Sequence, residues 1–261
     1  MSTGIVKLTV ALVSRLPTCH TRRMNTPLPT NLYKRHRFPA EIISHCVWLY
    51  FRFCLSDRDV EELMAARGVL LTYEAVRYWC RKFGQAYANQ LRRRRPQPGD
   101  KWHLDEVFLT IHGERHYLWR AVDQDGHVLD ILVQRRRDKH AAKKFFRKLL
   151  KGCQYVPRVI ITDKLKSDGA AKQEVLPGVE HRQHRYLNNR AENSHQPTRQ
   201  RERRLQGFKS PGHAQRFLAA YGPITSHFRP RRHRLSAPAY RQEMGHRFQV
   251  WREVTGLAPA A

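Results

Sequence analysis

The chain has 261 residues, 41% of them hydrophobic, and its 49 Lys+Arg against 22 Asp+Glu leave a formal net charge of +27. That apolar content, with helical and strand periodicity, excludes a disordered chain, and no apolar run reaches the ~18 residues needed to span a membrane. The charge makes an acidic polymer the default partner, nucleic acid being the commonest, although a ribosome-like or membrane-surface protein shares such a composition.

Residues 1–32 read as a leader. Its apolar stretch from Ile5 to Val13 is short, carries Lys7 and is followed by no small-residue cleavage site. The patterned sequence starts only after Met24, so the leader is either a disordered arm or the product of an upstream start; a functional basic arm is the alternative. Cys19, Cys46, Cys54, Cys80 and Cys153 include no CxxC pair. Neither a disulfide framework nor a structural zinc site is expected.

Residues 33–92 read as a helical module. PAEIISHCVWLYFRF places Ile42, Ile43, Cys46, Val47, Leu49 and Tyr50 at helical spacing after a Pro suited to a first turn. In LSDRDVEELMAARGV, Ser56 and Asp59 form a variant capping box, Val60, Leu63 and Met64 a stripe, and Gly68 a stop. Thr72 then caps a helix with Ala75, Val76, Trp79, Cys80 and Phe83 inside and Tyr73, Arg77, Arg81 and Lys82 outside. Two helices about a glycine turn, the second more basic, make a helix-turn-helix pattern. A plain three-helix bundle shares it, but the split of carboxylates and cations between the two helices favours DNA. Tyr73, Arg77 and Arg81 are the expected groove-facing residues.

Residues 93–100 read as a basic linker: the run Arg92 to Arg95 is followed by Pro96, Pro98 and Gly99. Such a run is expected to be solvated and free to lie along phosphates.

From residue 101 the period changes to two. KWHLDEVFLTI puts Trp102, Leu104, Glu106 and Phe108 on one face and His103, Asp105, Val107 and Leu109 on the other. Gly113 and Asp125-Gly126 mark hairpin turns joining it to RHYLWRAVD and HVLDILVQ. Asp138 caps a helix with Ala141, Phe145, Phe146 and Leu149 inward; RVIITD is a buried strand, VEHRQHR a further strand, and the segment after Asn189 a helix that Pro197 should distort, or break with a second start near it. Residues 101–222 thus form a mixed sheet covered by helices, an order that fits the ribonuclease-H-like fold, and residues 223–261 a basic tail. The fold class is α+β, a helical module followed by a mixed sheet.

Three carboxylates stand out. Asp105 lies in a strand of large apolar groups, where a charge must be paired or hold a metal. Asp163 ends VIIT, at the strand end where such sheets place their sites. Glu192 lies in a stretch, His181 to Arg234, with thirteen lysines and arginines and no other carboxylate but Glu202. Each also fits a turn former, a cap or an ion pair, and Asp123, Asp125 and Asp130 could serve as ligands equally well. As a set, Asp105, Asp163 and Glu192 could hold two divalent ions against a phosphodiester, with arginines on its phosphates.

WHLDE at 102–106, YLWRAVD at 117–123, ITDK at 161–164, EHRQ at 180–183, NNRAE at 188–192 and GFKS at 207–210 together resemble the transposases of IS-six-type bacterial insertion sequences. The two helix-turn-helix segments resemble the family's N-terminal module, and the likeness covers residues 33–229. It implies that Asp105, Asp163 and Glu192 are a DDE triad with two Mg²⁺ (or Mn²⁺) ions. The spacing of 29 residues from 163 to 192 is shorter than in many relatives and is shared by some branches. Arg199, two helical turns after the Glu, fills the family's basic position, and Arg203 is expected to join it on DNA. The resemblance further implies element ends with short inverted repeats, strand cleavage and transfer in replicative transposition, a homodimer or larger synaptic assembly, and a cytoplasmic, nucleoid-associated place of action. A repressor with an inactive catalytic domain, and a metal nuclease that cuts without joining, would carry the same residues.

Overall fold

The computed structural model describes residues 32–257 apart from 96, 164–165, 184–186 and 231, and apart from the side chains of 166–168. The leader, except Leu32, lies outside the described residues, as do Cys19, Lys164, Arg185 and Arg231.

Three helices open the fold: α1 (Ala40–Arg52), α2 (Asp57–Ala65) and α3 (Tyr73–Arg93). The capping box at Ser56 forms in full, and the Thr72 hydroxyl accepts from the Ala75 N–H, so both helix starts are set by local hydrogen bonds. Gly68 ends the α2 turn at φ 75°. Val60 and Met64 are buried, but Leu63, expected beside them, faces solvent at 36% exposure. A nine-residue helix packed along one edge covers too narrow a stripe to bury all three.

The sheet contains β1 (Lys101–Ile111), β2 (Glu114–Asp123), β3 (Val128–Gln134), β4 (Val159–Thr162) and β5 (Glu180–Gln183), in the order β3-β2-β1-β4-β5. The first three are antiparallel; β4 runs parallel to β1, and β5 parallel to β4. Helix α4 (Lys139–Cys153), capped by Asp138, carries the chain from β3 to β4, and α5 (Lys166–Val175) from β4 to β5. Then follow α6 (Asn189–Arg204), α7 (Pro211–His227) and α8 (Ala237–Val254). This is the mixed sheet flanked by helices that a ribonuclease-H-like fold requires.

The alternation in β1 separates two cores. Trp102 and Leu104 pack with Phe145, Phe146 and Leu149 of α4 on one face. Leu109, Ile111 and Leu118, at the far end of the β1–β2 hairpin, join the buried faces of α1, α3, α7 and α8. The N-terminal helices and the sheet therefore share one apolar cluster.

Three expectations need correction. The linker arginines are not a free run: Arg92 donates to the Ala219 carbonyl at 2.8 Å, Arg95 to the Val128 carbonyl at 2.6 Å, and Arg94 pairs with Glu253. Two carbonyls and one carboxylate, from three different elements, are within reach as α3 ends, and they hold the guanidinium groups in place of water. Where a basic tail was expected, α8 forms, capped by Ser236 and anchored by Trp251 edge-on to Tyr87 at 5.4 Å. Basic composition hid its sparse apolar residues. At Pro197, finally, the break that was one of two expected outcomes does not occur, and α6 runs through it. The carbonyl it leaves without a helical donor belongs to the exposed Asn193, where water can serve instead. Among the described residues, no helix is long and apolar enough to cross a membrane.

Candidate active site

Parallel pairing of β1 and β4 sets Lys101 opposite Val159 and His103 opposite Ile161. Continuing that register by two residues puts Asp105 beside Asp163, which follows the last residue of β4. Helix α6 supplies Glu192 from above the same face. Its start is fixed by the fully buried Asn188, whose Nδ2 donates to the Leu104 carbonyl at 2.8 Å. Its middle is held by Arg120, the cross-strand partner of Asp105, which donates to the Ser194 carbonyl and to Thr198 Oγ1.

The charges of Asp163 and Glu192 bear on Asp105. Burial, then the charge of Asp163 and that of Glu192, push the Asp105 carboxyl up to about 7. A bond from the Glu106 backbone and the charge of Arg137 oppose this rise without cancelling it. Asp105 is a carboxylate that the fold leaves short of positive charge, which is the condition a cation would relieve.

Two neighbours of Asp105 escaped the sequence reading. His195 is buried, and its Nε2 lies 3.4 Å from Asp105 Oδ2 without forming a hydrogen bond. Burial, then Arg120 and Arg199, hold its proton affinity well below the histidine range, so the ring is neutral at physiological pH. The signal for it was present: His195 stands three residues after Glu192, on the same side of a helix. Arg120 carried no such signal, since only the β1–β2 register places it opposite Asp105.

A second group competes for attention. Among the described residues, one set of three ligand atoms lies mutually within 4.8 Å, from Asp123, Asp125 and His127 in the β2–β3 hairpin. Asp105, Asp163 and Glu192 do not meet that spacing. The hairpin group has a local explanation: Asp123 Oδ1 accepts from the backbone N–H groups of Asp125 at 2.9 Å and His127 at 2.8 Å. Burial works against the Asp123 charge, but these bonds and His127 hold its carboxyl below the usual range. Asp130, the remaining alternative ligand, is bonded to Lys148.

Of the residues expected on DNA, Tyr73 is half-buried with the guanidinium groups of Arg58 and Arg77 over its ring, and Arg77 also pairs with Asp57 at 3.3 Å. Arg81 and Arg203 are exposed. Arg199 pairs with Glu202 at 3.1 Å and lies over the Phe108 ring. Glu192, His195, Arg199 and Arg203 line one depression of about 590 Å³. Not every arginine near Glu192 belongs to that surface. Arg201 is fully buried, donates to the carbonyls of Leu55 and Tyr50, and lies 4.5 Å from the Tyr50 ring centre. Arg204 pairs with Asp59. Both fasten α6 to the α1–α2 corner.

Residues 99–231 match a family model described as a DDE domain. The chain is 31% identical over 186 residues to the transposase for insertion sequence element IS257 in transposon Tn4003 of Staphylococcus aureus, covering 69% of this chain and 82% of that protein. It matches the transposase for insertion sequence-like element IS431mec of Staphylococcus aureus (strain Mu50 / ATCC 700699) at the same identity and coverage. Among solved structures, the cryo-EM structure of the simian T-cell lymphotropic virus intasome in complex with PP2A regulatory subunit B56 gamma aligns with 66% of this chain and 71% of that chain, at 13% identity and a TM-score of 0.32.

Proposed function

Because the chain belongs to the DDE transposases of IS-six-type insertion sequences, we propose that Asp105, Asp163 and Glu192 are the catalytic carboxylates with which it cuts and rejoins DNA. The chain is a transposase, a DNA-cutting and transesterifying enzyme that depends on divalent metal. The observation that carries the assignment is Asp105 itself, half-buried in β1 beside the buried His195 and driven up to about 7 by desolvation and by the charges of the other two carboxylates. An all-oxygen, all-anionic donor set, half-buried at Asp105 and Asp163 and open to solvent at Glu192, suits Mg²⁺ or Mn²⁺ and not a softer metal. When bound, two such ions would stabilise the attacking and leaving oxygens of an in-line displacement.

The chain's own residues do the rest. Asp105 and Asp163 offer oxygens from a rigid sheet, and Glu192 closes the set from α6. Neutral His195 fills the space behind Asp105 and keeps water from its inner oxygen. Arg199 and Arg203, on the same side of α6, hold phosphates, while Tyr73, Arg77 and Arg81 present the outer face of α3 to the groove of the element end. Water first cuts the strand at the element end, and the freed 3′-hydroxyl then attacks a target phosphodiester. Two ends must meet for this, so a homodimer or larger assembly acts, on nucleoid DNA in the cytoplasm.

Strand transfer in vitro, with Mg²⁺ and a duplex carrying the element end, tests the reading. The expected products are a cut end and a joined strand. Binding without cutting would sink the assignment in favour of a repressor, and cutting without joining would leave a nuclease.

A further inference from the structure

A cleft of about 1230 Å³ opens beside the Glu192 depression, and Pro197 and Arg229 line both. Its volume exceeds the ~300–1,000 Å³ of small-molecule sites. The walls are the first residues of β1, the β2–β3 hairpin, the side of α6 bearing Arg190, Asn193 and Ser194, the second half of α7, and Arg229, His233 and Arg234. Six cationic side chains line it, Lys101, Arg120, Arg182, Arg190, Arg229 and Arg234, against the single carboxylate of Asp125. Three of these are engaged by the protein: Arg120 with Ser194 and Thr198, Arg182 with Glu180 at 2.6 Å, and Arg190 with the Gln124 carbonyl. Lys101, Arg229 and Arg234 are exposed.

Among the described lining residues Tyr221 is the one Phe, Tyr or Trp, and it is buried at 5% exposure, so the exposed lining is dominated by cations. Recognition here runs chiefly through phosphates.

The cleft adjoins the carboxylates. His103 and Ile161 line it, and each lies two residues before a carboxylate, Asp105 and Asp163 respectively. On β1, two residues along the same face are about 7 Å. A strand whose phosphodiester lies at the carboxylates therefore continues into the cleft.

We propose that this cleft holds, through its phosphates, the DNA strand leading away from the phosphodiester that is cut. The direction of that strand rests on Asp105, Asp163 and Glu192 being the reaction centre; the affinity of the cleft for a phosphate chain does not.

The test uses the full chain in EDTA, with a fluorescein-labelled 20-nucleotide single strand of mixed sequence as the probe, and follows affinity against salt. Replacing Lys101→Gln, Arg229→Gln and Arg234→Gln together removes three phosphate partners. The log–log salt slope should become shallower by about 2, at ~0.7 per contact on a single strand, with an unchanged melting midpoint showing that the variant is folded. If the triple variant does not fold, the single reversals Lys101→Glu and Arg234→Glu carry the test, each making the slope shallower by at least about 0.7. Unchanged slope and affinity would overturn the proposal. If the parent chain shows no metal-dependent cutting while the variant slopes still fall, the cleft stands and the reaction centre falls. If the parent cuts and the slopes do not move, the cleft alone falls. Neutral methylphosphonate linkages placed on one side or the other of the cut site then read direction: loss of affinity on one side only supports the continuous strand, and equal loss on both sides refutes it.

Discussion

The hairpin group of Asp123, Asp125 and His127 and the group of Asp105, Asp163 and Glu192 respond oppositely to the same fold. The first brings its ligand atoms within 4.8 Å, yet Asp123 is held below its usual range because two backbone N–H groups and His127 already satisfy it. The second is more widely spaced, yet Asp105 rises to about 7 because burial and two carboxylates act on it together. Closeness of ligand atoms therefore does not identify a site. A turn assembles carboxylates for its own hydrogen bonds, whereas the proposed reaction centre gathers like charges from distant elements of the fold.

The largest test of this contrast is catalytic. Asp163→Asn should reduce both cutting and joining at least about a thousandfold, some 4 kcal/mol of transition-state stabilisation, while binding to the element end is kept. Asp125→Asn should stay within a few-fold of the parent in the same strand-transfer assay. The reverse result would exchange the roles of the two groups.

Stability against pH comes next. The folded Asp105 carboxyl, at about 7, keeps a proton that the unfolded chain releases near 4. The cost of charging it grows from about pH 4 and is complete above about pH 7, with an upper bound of about 4 kcal/mol. Asp105→Asn should therefore leave metal-free stability unchanged at pH 4 and raise it at pH 8, as read by urea denaturation. Mg²⁺ should raise the melting midpoint of the parent and not that of Asp105→Asn. A midpoint that rises equally in both would place the ion elsewhere.

Arg201 extends the contrast to cations. Arg201→Ala strips donors from the Leu55 and Tyr50 carbonyls and opens a hole beside Tyr50 and Phe217, and should cost about 3 kcal/mol. Arg203→Ala, on the exposed side, should change stability by less than about 0.5 kcal/mol and weaken DNA binding instead. The smallest effect belongs to the hairpin. Asp123→Ala should cost about 1 kcal/mol at neutral pH. Because the folded carboxyl sits below its unfolded value, that contribution should fade as pH falls through the acid range, visible as a converging pair of denaturation midpoints.

Much of the fold was legible in the residues because its signals are local. Period-two alternation in Lys101–Ile111, the Asp125-Gly126 turn, the Asp138 and Ser56 caps and the stripe through Phe145 and Phe146 each act within a few residues, and each appears where expected. The proposed carboxylates stood out for a related reason: a charge in an apolar strand, or at its end, conflicts with its surroundings on sight. What misled was composition. Basic residues hid the Trp251 anchor of α8, and four arginines in a row suggested solvent where Arg92 and Arg95 find backbone carbonyls.

By itself the sequence determined the order of elements, the excess of cations and the carboxylates that stand out of place, and through its motifs the family. Tertiary structure alone decided which charges are satisfied. It turned Arg201 inward and Arg203 outward from one helix, set Arg120 opposite Asp105, brought His195 beside it, and let α6 run through Pro197. The reason is physical: helices, turns and caps are settled by neighbours along the chain, but the energy of a charge depends on every group within a few ångströms, and folding chooses those groups from the whole chain.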